Sequence, residues 1–338
     1  MASKTSTIEL ANFVCRFGEK VMLDEFDKIV YPAFFKDSLK RKYGETKFFF
    51  EKVNLVKVKA SNDSEALAIA GRIIKDTVLR RDQVYVPGEG LRQKKGRLAS
   101  APSSIFLLIL DNHRLVFVKE TPDAPTKEQF RSTALVFLRQ MHAALLKKEL
   151  INIDEMGLSR DDSKREKEKI YKKYERPTLE MIALTSQDSI EDFIQKYEIL
   201  NQVKITINDR NDEFNSDGFF ESLKESKDAI KSDDTAVVHN SKEGLDKNEA
   251  VSQVSSATAQ GHQTVSLKGK DESGGTLIGN NEHFQLKKKI DEISSDPVDA
   301  AAQMFEAFTD LVAHGLVKVP NTARSTSAKI KEIIEKRF

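Results

Sequence analysis

The feature that most constrains this chain is an apolar stretch within residues 104–146. Residues 105–110 are an unbroken apolar run, and after a polar turn residues 115–118 are apolar again, which predicts a buried β-hairpin. Residues 127–148 are amphipathic and follow Thr126, a residue type that commonly caps a helix. Six apolar residues of this predicted helix share one face and should close a first core against the hairpin: Phe130, Ala134, Phe137, Leu138, Met141 and Leu145.

The residues before this stretch predict a mixture of strands and helices. Strands are expected at 8–17, 48–58 and 82–86, where apolar residues alternate with polar ones or form short runs. Helices are expected at 23–43, interrupted by Pro32, and from Asn62 or Ser64 to Lys75. Because strands and helices do not alternate as regular βαβ units, the predicted fold class is α+β.

A dense mixture of charges at 152–176 predicts a boundary, as a solvated helix or a mobile linker. The next unit should begin with a strand at 178–185, a helix at 189–197 and a strand at 202–208, an order similar to half of a split βαβ arrangement. The expected organisation has four parts: an N-terminal α+β domain at 1–151 with a basic loop at 87–102, a charged linker at 152–176, a C-terminal α+β domain at 177–292, and a helical tail at 293–338.

Within the tail, residues 296–315 predict a helix with Asp296 as its cap and Pro297 at its first position. Five apolar residues repeat along this helix with heptad spacing and form a seam: Val298, Ala301, Phe305, Phe308 and Val312. Two alternatives are open for this seam, packing within the chain or pairing with a second copy.

Composition excludes several classes of protein. The only cysteine is Cys15, so neither an internal disulfide nor a multi-cysteine metal site is possible. The sequence shows no apolar signal core after Met1 and no run long enough to span a membrane, and a cytoplasmic location is expected. Lysine and arginine number 54 against 53 acidic residues, so binding through charge would require local segregation of charge.

The common catalytic motifs are not found. The six histidines are scattered along the sequence, and the glycines fit neither a dinucleotide-binding nor a phosphate-binding loop, so no cofactor, metal or small-molecule substrate is expected. One alternative is a metal-dependent nuclease, because Asp37, Glu45 and Lys47 are the residue types that hold Mg²⁺ and activate water in such enzymes. The main expectation is a protein without enzymatic activity.

Clusters of cations are the most suggestive feature of the N-terminal unit. Cations this closely spaced in a glycine-flanked loop are suited to following a phosphate backbone without reading bases, although each cluster taken alone also fits ordinary solvated surface. The candidate nucleic-acid-binding residues are Arg92, Lys94, Lys95 and Arg97 in the basic loop, helped by Lys40, Arg41, Lys42, Arg80 and Arg81.

The order and spacing of elements at roughly 105–290 resemble the A component of the lambda-type Rex phage-exclusion system. The resemblance is carried by the predicted elements at 130–146, 178–185, 189–197, 202–208 and 244–259, and by the glycine-bearing segment 276–280. Similar proteins occur in anti-phage systems such as the second component of Kiwa.

The resemblance implies a dimeric cytoplasmic protein of phage exclusion or anti-phage defence. Such a protein binds DNA with little sequence preference and reports phage replication complexes to a membrane-protein partner. The helical tail is an addition to the lambda-type length. A third hypothesis is a protein-interaction scaffold that docks a partner on the heptad seam of residues 298–312.

Overall fold

The computed structural model describes residues 5–213, 217–320 and 323–338. The fold is α+β, as predicted, with one strongly curled large sheet and a second, smaller sheet. The strands are β1 Thr5–Phe17, β2 Lys20–Val21, β3 Arg41–Tyr43, β4 Thr46–Lys59, β5 Glu65–Val86, β6 Gly90–Ser100, β7 Ser103–Ile109, β8 Arg114–Lys119, β9 Thr178–Ala183, β10 Tyr197–Ile207, β11 Ala236–Asn240, β12 Gln263–Asp271, β13 Thr276–Asn280 and β14 Lys287–Asp291. The α-helices are α1 Tyr31–Phe35, α2 Lys127–Glu155, α3 Arg160–Lys173, α4 Gln187–Ile194, α5 Gly218–Ala229, α6 Lys247–Thr258, α7 Pro297–Ala313 and α8 Arg324–Arg337.

The large sheet has ten strands and is covered by helices on both faces. Its main order is β14-β1-β8-β7-β5-β4-β3, with β2 and β9 also paired to β1 and β6 paired to β5. The predicted hairpin consists of β7 and β8. Its apolar sequence is unbroken because alternate side chains enter two different cores, one on each face of the sheet. Phe106 and Leu108 face α2, whereas Ile105 and Leu107 face α7.

Helix α2 packs on the hairpin as predicted. Thr126 caps it by accepting a hydrogen bond from the backbone N–H of Gln129, and the Gln129 side chain accepts one from the N–H of Thr126. Phe130 is fully buried, with its ring centroid 4.8 Å from that of Phe106. The first core is therefore closed by the face of α2 that the sequence predicts.

The smaller sheet has four strands in the order β11-β10-β12-β13. Helices α4, α5 and α6 cover one face and bury a core around Val203, Ile205, Val265 and Leu267. Asp217 caps α5 by accepting a hydrogen bond from the N–H of Phe219, and Ser186 caps α4 by accepting one from the N–H of Ser189.

The predicted helix ending at Lys75 is wrong, because this segment belongs to the 22-residue strand β5. Leu67, Ile69 and Ile73 enter the α2-side core, and Ala68 and Ala70 enter the α7-side core. A strand buried on both faces loses the polar alternation that identifies strands, and its apolar spacing then imitates a helix. The helix predicted at 23–43 is also shorter: helical turns cover 22–35, and β3 follows.

Strand pairing crosses the expected boundaries between parts of the chain. Both β9 and β14 pair with β1, so segments from the predicted C-terminal domain complete the large sheet. The predicted linker is largely the solvated helix α3, which has no buried residue and is followed by the buried Tyr174. The division into four parts as folding units stays a prediction.

The heptad seam of α7 is filled within the chain. Ala301, Phe305 and Phe308 are buried against the large sheet, whereas Val298 is 42% exposed. Intramolecular packing therefore accounts for the seam, and docking of a second copy or of a partner on these three residues is excluded in this conformation.

Candidate nucleic-acid interface

A two-stranded arm projects from the large sheet. Residues 65–76 of β5 pair with the neighbouring strands of the sheet, but residues 77–86 pair with β6 alone among the described strands. Gly88 and Gly90 have φ angles of +83° and +76°, which the tight turn between the two strands requires. No residue of the arm, defined as residues 77–100, is buried.

The arm replaces the basic loop that the sequence predicts at 87–102. Residues 90–100 contain no proline, and their backbone pairs with β5 along nearly the whole length of β6. The low apolar content that indicates a loop reflects instead a strand that is exposed on both faces. The cations expected on a flexible loop are therefore held on a ribbon with a defined register.

The two faces of the arm differ in character. Residues directly opposite each other share a face, so Arg80 and Arg97 lie together, and Arg92, opposite Val84, lies further along the same face. The other face presents two apolar pairs that are between 42% and 71% exposed: Leu79 with Leu98, and Tyr85 with Leu91. A register shift near Arg81 places an additional residue on β6, where Lys94 and Lys95 lie.

Arg80 and Arg97 are directly opposite, an arrangement that destabilises a ribbon through repulsion of like charges. Glu45, in the turn between β3 and β4, reduces this repulsion because its carboxylate is 2.6 Å from Arg80. The hydrogen bond and charge of Arg80 lower the pKa of the Glu45 carboxyl, and the charge of Arg97 contributes. Stability of the arm alone does not account for two arginines at these positions.

Most of the predicted cations of the arm are free of carboxylates. The arm carries six cations and two carboxylates, a net charge of +4. Arg92 pairs with Glu89 at 2.9 Å and Arg80 pairs with Glu45, both at exposed positions. The remaining four form no ion pair with any described residue: Arg81, Lys94, Lys95 and Arg97.

The other predicted cluster, Lys40, Arg41 and Lys42, does not end a helix. These residues lead into β3, which is an edge strand of the large sheet and pairs with β4. Arg41 is partly committed to packing, because its guanidinium lies 5.1 Å from the centroid of the Phe48 ring. The first residue of β4, Thr46, contacts the arm through a 2.8 Å hydrogen bond with Thr77, so this cluster flanks the base of the arm.

The three residues of the nuclease hypothesis have other partners or lie in loops. Glu45 pairs with Arg80, Lys47 lies 3.8 Å from Asp76, and Asp37 follows α1 in an exposed turn. Within residues 5–213, 217–320 and 323–338, no group of three metal-ligating side chains is suitably placed for a metal ion. The described residues therefore give no support to a two-carboxylate metal site.

A buried polar cluster, which sequence reasoning missed, joins the two sheets. Arg114 is fully buried, and it donates to the side-chain oxygen of Asn12 at 2.7 Å and to the carbonyl of Gln260 at 3.0 Å. Glu213 lies 3.5 Å from Arg114 and 2.8 Å from Nε2 of His262. These residues are distant in sequence. His113 and His262, which are scattered along the sequence, come close to Glu213 only because the chain folds.

The cluster is incompletely satisfied. His113 has a φ of +55° and neither of its ring nitrogens has a hydrogen-bond partner, although Nδ1 is 3.7 Å from Glu213. Burial acts to raise the pKa of the Glu213 carboxyl, but the charge of Arg114 and the neighbouring histidines lower it well below its ordinary value. Burial also lowers the pKa of His262, which favours the neutral imidazole. The cluster is thus a buried junction at which the charges of Arg114 and Glu213 face each other.

No described helix is both long and apolar enough to cross a membrane. No protein-family model matches this chain, and no curated protein sequence is significantly similar to it.

Proposed function

We propose that the arm binds the phosphate backbone of duplex DNA with little dependence on sequence. The observation that carries the proposal is a projecting ribbon of net charge +4 on which four cations have no carboxylate partner. A two-stranded ribbon has dimensions that the major groove of DNA accepts, and lysine and arginine side chains contact phosphates without reading bases.

The proposal is supported by the arrangement of the cations. Arg80, Arg92 and Arg97 share one face of the ribbon, and Lys40 and Lys42 lie beside its base. Direct opposition of Arg80 and Arg97 has a cost in stability, which a phosphate bound between them removes.

The test is neutralisation of the tip half of the arm. In the variant Arg92→Gln, Lys94→Gln, Lys95→Gln and Arg97→Gln, affinity for a duplex of arbitrary sequence should fall by at least about tenfold. The dependence of log affinity on log salt should become shallower by about 0.9 for each lost phosphate contact.

A matched control removes four exposed lysines that also lack ion-pair partners elsewhere on the described surface: Lys287, Lys289, Lys318 and Lys331. Both variants lose the same formal charge, so the control measures the effect of net charge alone. Equal loss of affinity in the two variants, or no loss in the arm variant, contradicts the proposal.

The resemblance to the Rex and Kiwa proteins extends the proposal to a role. On this proposal the chain is a homodimer that senses phage DNA in exclusion or anti-phage defence and signals to a membrane-protein partner. This role is supported by the likeness in the order of elements. The α7 seam does not support the dimer, because its residues pack within the chain. Light scattering of the full chain tests the dimer, and phage plating with and without the arm variant tests the role.

A further inference from the structure

The open face of the smaller sheet is a second strongly charged surface of the molecule. Alternate residues of β10 and β12 are buried under α4, α5 and α6, so the residues between them point away from these helices. Lys204 and Lys268 are on this open face, because Lys204 pairs with Ser266 and Lys268 pairs with Gln202.

Three lysines lie close together on this face. Lys268 and Lys270 are alternate residues of one strand, about 7 Å apart along it. Lys204 is a diagonal neighbour of Lys268 on the adjacent strand, at about 7–8 Å between their backbones. None of the three forms an ion pair with another described residue.

On the strands that carry these lysines, carboxylates are confined to one end, at Glu198 in β10 and Asp271 in β12. None of the residues at 199–207, 236–240, 263–270 and 276–280 is Asp or Glu, although 53 such residues occur in the chain. In a protein of balanced total charge, a sheet whose charged residues over these ranges are all lysines favours a polyanionic occupant.

Apolar side chains on the same face indicate which polyanion fits. Val238 lies opposite Lys204 and is 46% exposed, and Ile278 lies opposite Lys268 and is 57% exposed. A duplex offers this flat face phosphates but keeps its bases stacked inside. A single strand offers phosphates to the lysines and exposes the faces of its bases, which the two aliphatic residues contact by van der Waals packing rather than by aromatic stacking.

From these positions we infer that the open face of the four-stranded sheet binds single-stranded nucleic acid, with lysines 204, 268 and 270 on its phosphates and Val238 and Ile278 under its bases. The inference goes beyond the proposed function and does not depend on the arm. With both surfaces, the protein has one site for duplex DNA and one for a single strand. Duplex and single-stranded DNA occur side by side where a duplex has been opened.

The test is fluorescence anisotropy with a labelled deoxythymidine oligonucleotide of about 20 nucleotides and with a duplex of equal length. In the sheet variant Lys204→Gln, Lys268→Gln and Lys270→Gln, affinity for the single strand should fall at least about tenfold, with a salt slope shallower by about 2. Affinity for the duplex should change by less than about twofold. Val238→Ser with Ile278→Ser should weaken single-strand binding without changing its salt slope.

The matched control is Lys196→Gln, Lys242→Gln and Lys247→Gln, which removes three lysines of the same unit that lie off the open face and form no ion pair with a described residue. Its single-strand affinity should remain close to that of the parent. Circular dichroism and thermal unfolding confirm that each variant is folded.

The arm variant separates this inference from the proposed function. It should lose duplex binding and keep single-strand binding, and if it binds duplex as well as the parent does, the proposed function fails while the inference stands. The inference is overturned if the sheet variant keeps its single-strand affinity, if the control or the arm variant loses as much, or if duplex affinity falls equally. Displacement of the strand by polyglutamate as efficiently as by unlabelled oligonucleotide also overturns it, because an acidic protein is then the better occupant.

Discussion

Arg114 and Glu213 form a buried ion pair where the two sheets meet, with Nη1 of the arginine 3.5 Å from Oε1 of the carboxylate. The guanidinium is fully buried, and its other contacts are oxygens of Asn12, Asn112 and Gln260. A buried arginine that reaches backbone carbonyls and a carboxylate from distant segments holds those segments in one arrangement.

Removal of the arginine should therefore destabilise the protein strongly. Arg114→Met leaves the Glu213 charge buried without its main counter-charge, and the free energy of unfolding should fall by about 3–5 kcal/mol in urea titration. The double variant Arg114→Met with Glu213→Gln removes both charges and should be less destabilised than Arg114→Met alone. A loss below about 1 kcal/mol in the single variant contradicts this account of the junction.

Stability should fall as the pH decreases through the titration range of histidine. The pKa of His262 is lowered from its ordinary value of 6.5 in the folded protein, chiefly by burial. The unfolded chain therefore binds a proton at this side chain near pH 6.5 while the folded chain does not, so protonation favours unfolding. The contribution of His262 is present above pH 6.5 and is progressively lost below it.

The measurement is the free energy of unfolding of the parent and of His262→Gln between about pH 8 and pH 5. The variant should be less stable at high pH, and its stability should decrease less with acidity than that of the parent. Parallel pH profiles show that the histidine does not change its protonation on unfolding.

Excision of the arm should leave the rest of the fold intact. Among the described residues, the arm's side chains make polar contacts with the rest of the molecule through Arg80 with Glu45 and through Thr77 with Thr46. Replacing residues 80–97 with Asn-Gly closes the ribbon after the Leu79–Leu98 pair in a two-residue turn. Thermal unfolding should shift by less than about 4 °C, while duplex affinity is lost.

The same excision should leave single-strand affinity unchanged, because the smaller sheet is untouched. Loss of solubility or of cooperative unfolding is the contrary result, and it shows that the arm is part of the core structure.

The intramolecular use of the α7 seam predicts unequal effects of truncation along one helix. Phe308 is buried in the core between α7 and the large sheet, and Phe308→Ala should lower the free energy of unfolding by about 3–5 kcal/mol. Val298, on the same helix, is 42% exposed, and Val298→Ala should cost less than about 1 kcal/mol. Equal effects in urea titration contradict the assignment of the seam to this core.

Local sequence patterns predict the elements whose ends and faces depend on near neighbours. Thr126 and Asp296 cap helices at the predicted places, because a capping hydrogen bond joins residues only two or three apart. The hairpin at 105–118 and the face of α2 also follow from periodicity, since a burial pattern repeats along each element.

Residue types and their local spacing establish which positions are charged, apolar or able to cap, and therefore the fold class, most helices and the candidate cations. Tertiary structure decided what those residues pair with. β5 is a strand because cores on both of its faces bury Ile69 and Ala70, whatever its local spacing suggests. The contacts of Arg114, Glu213 and His262, and the exposure of three lysines on one open sheet face, depend on pairing between distant strands, which no local pattern records.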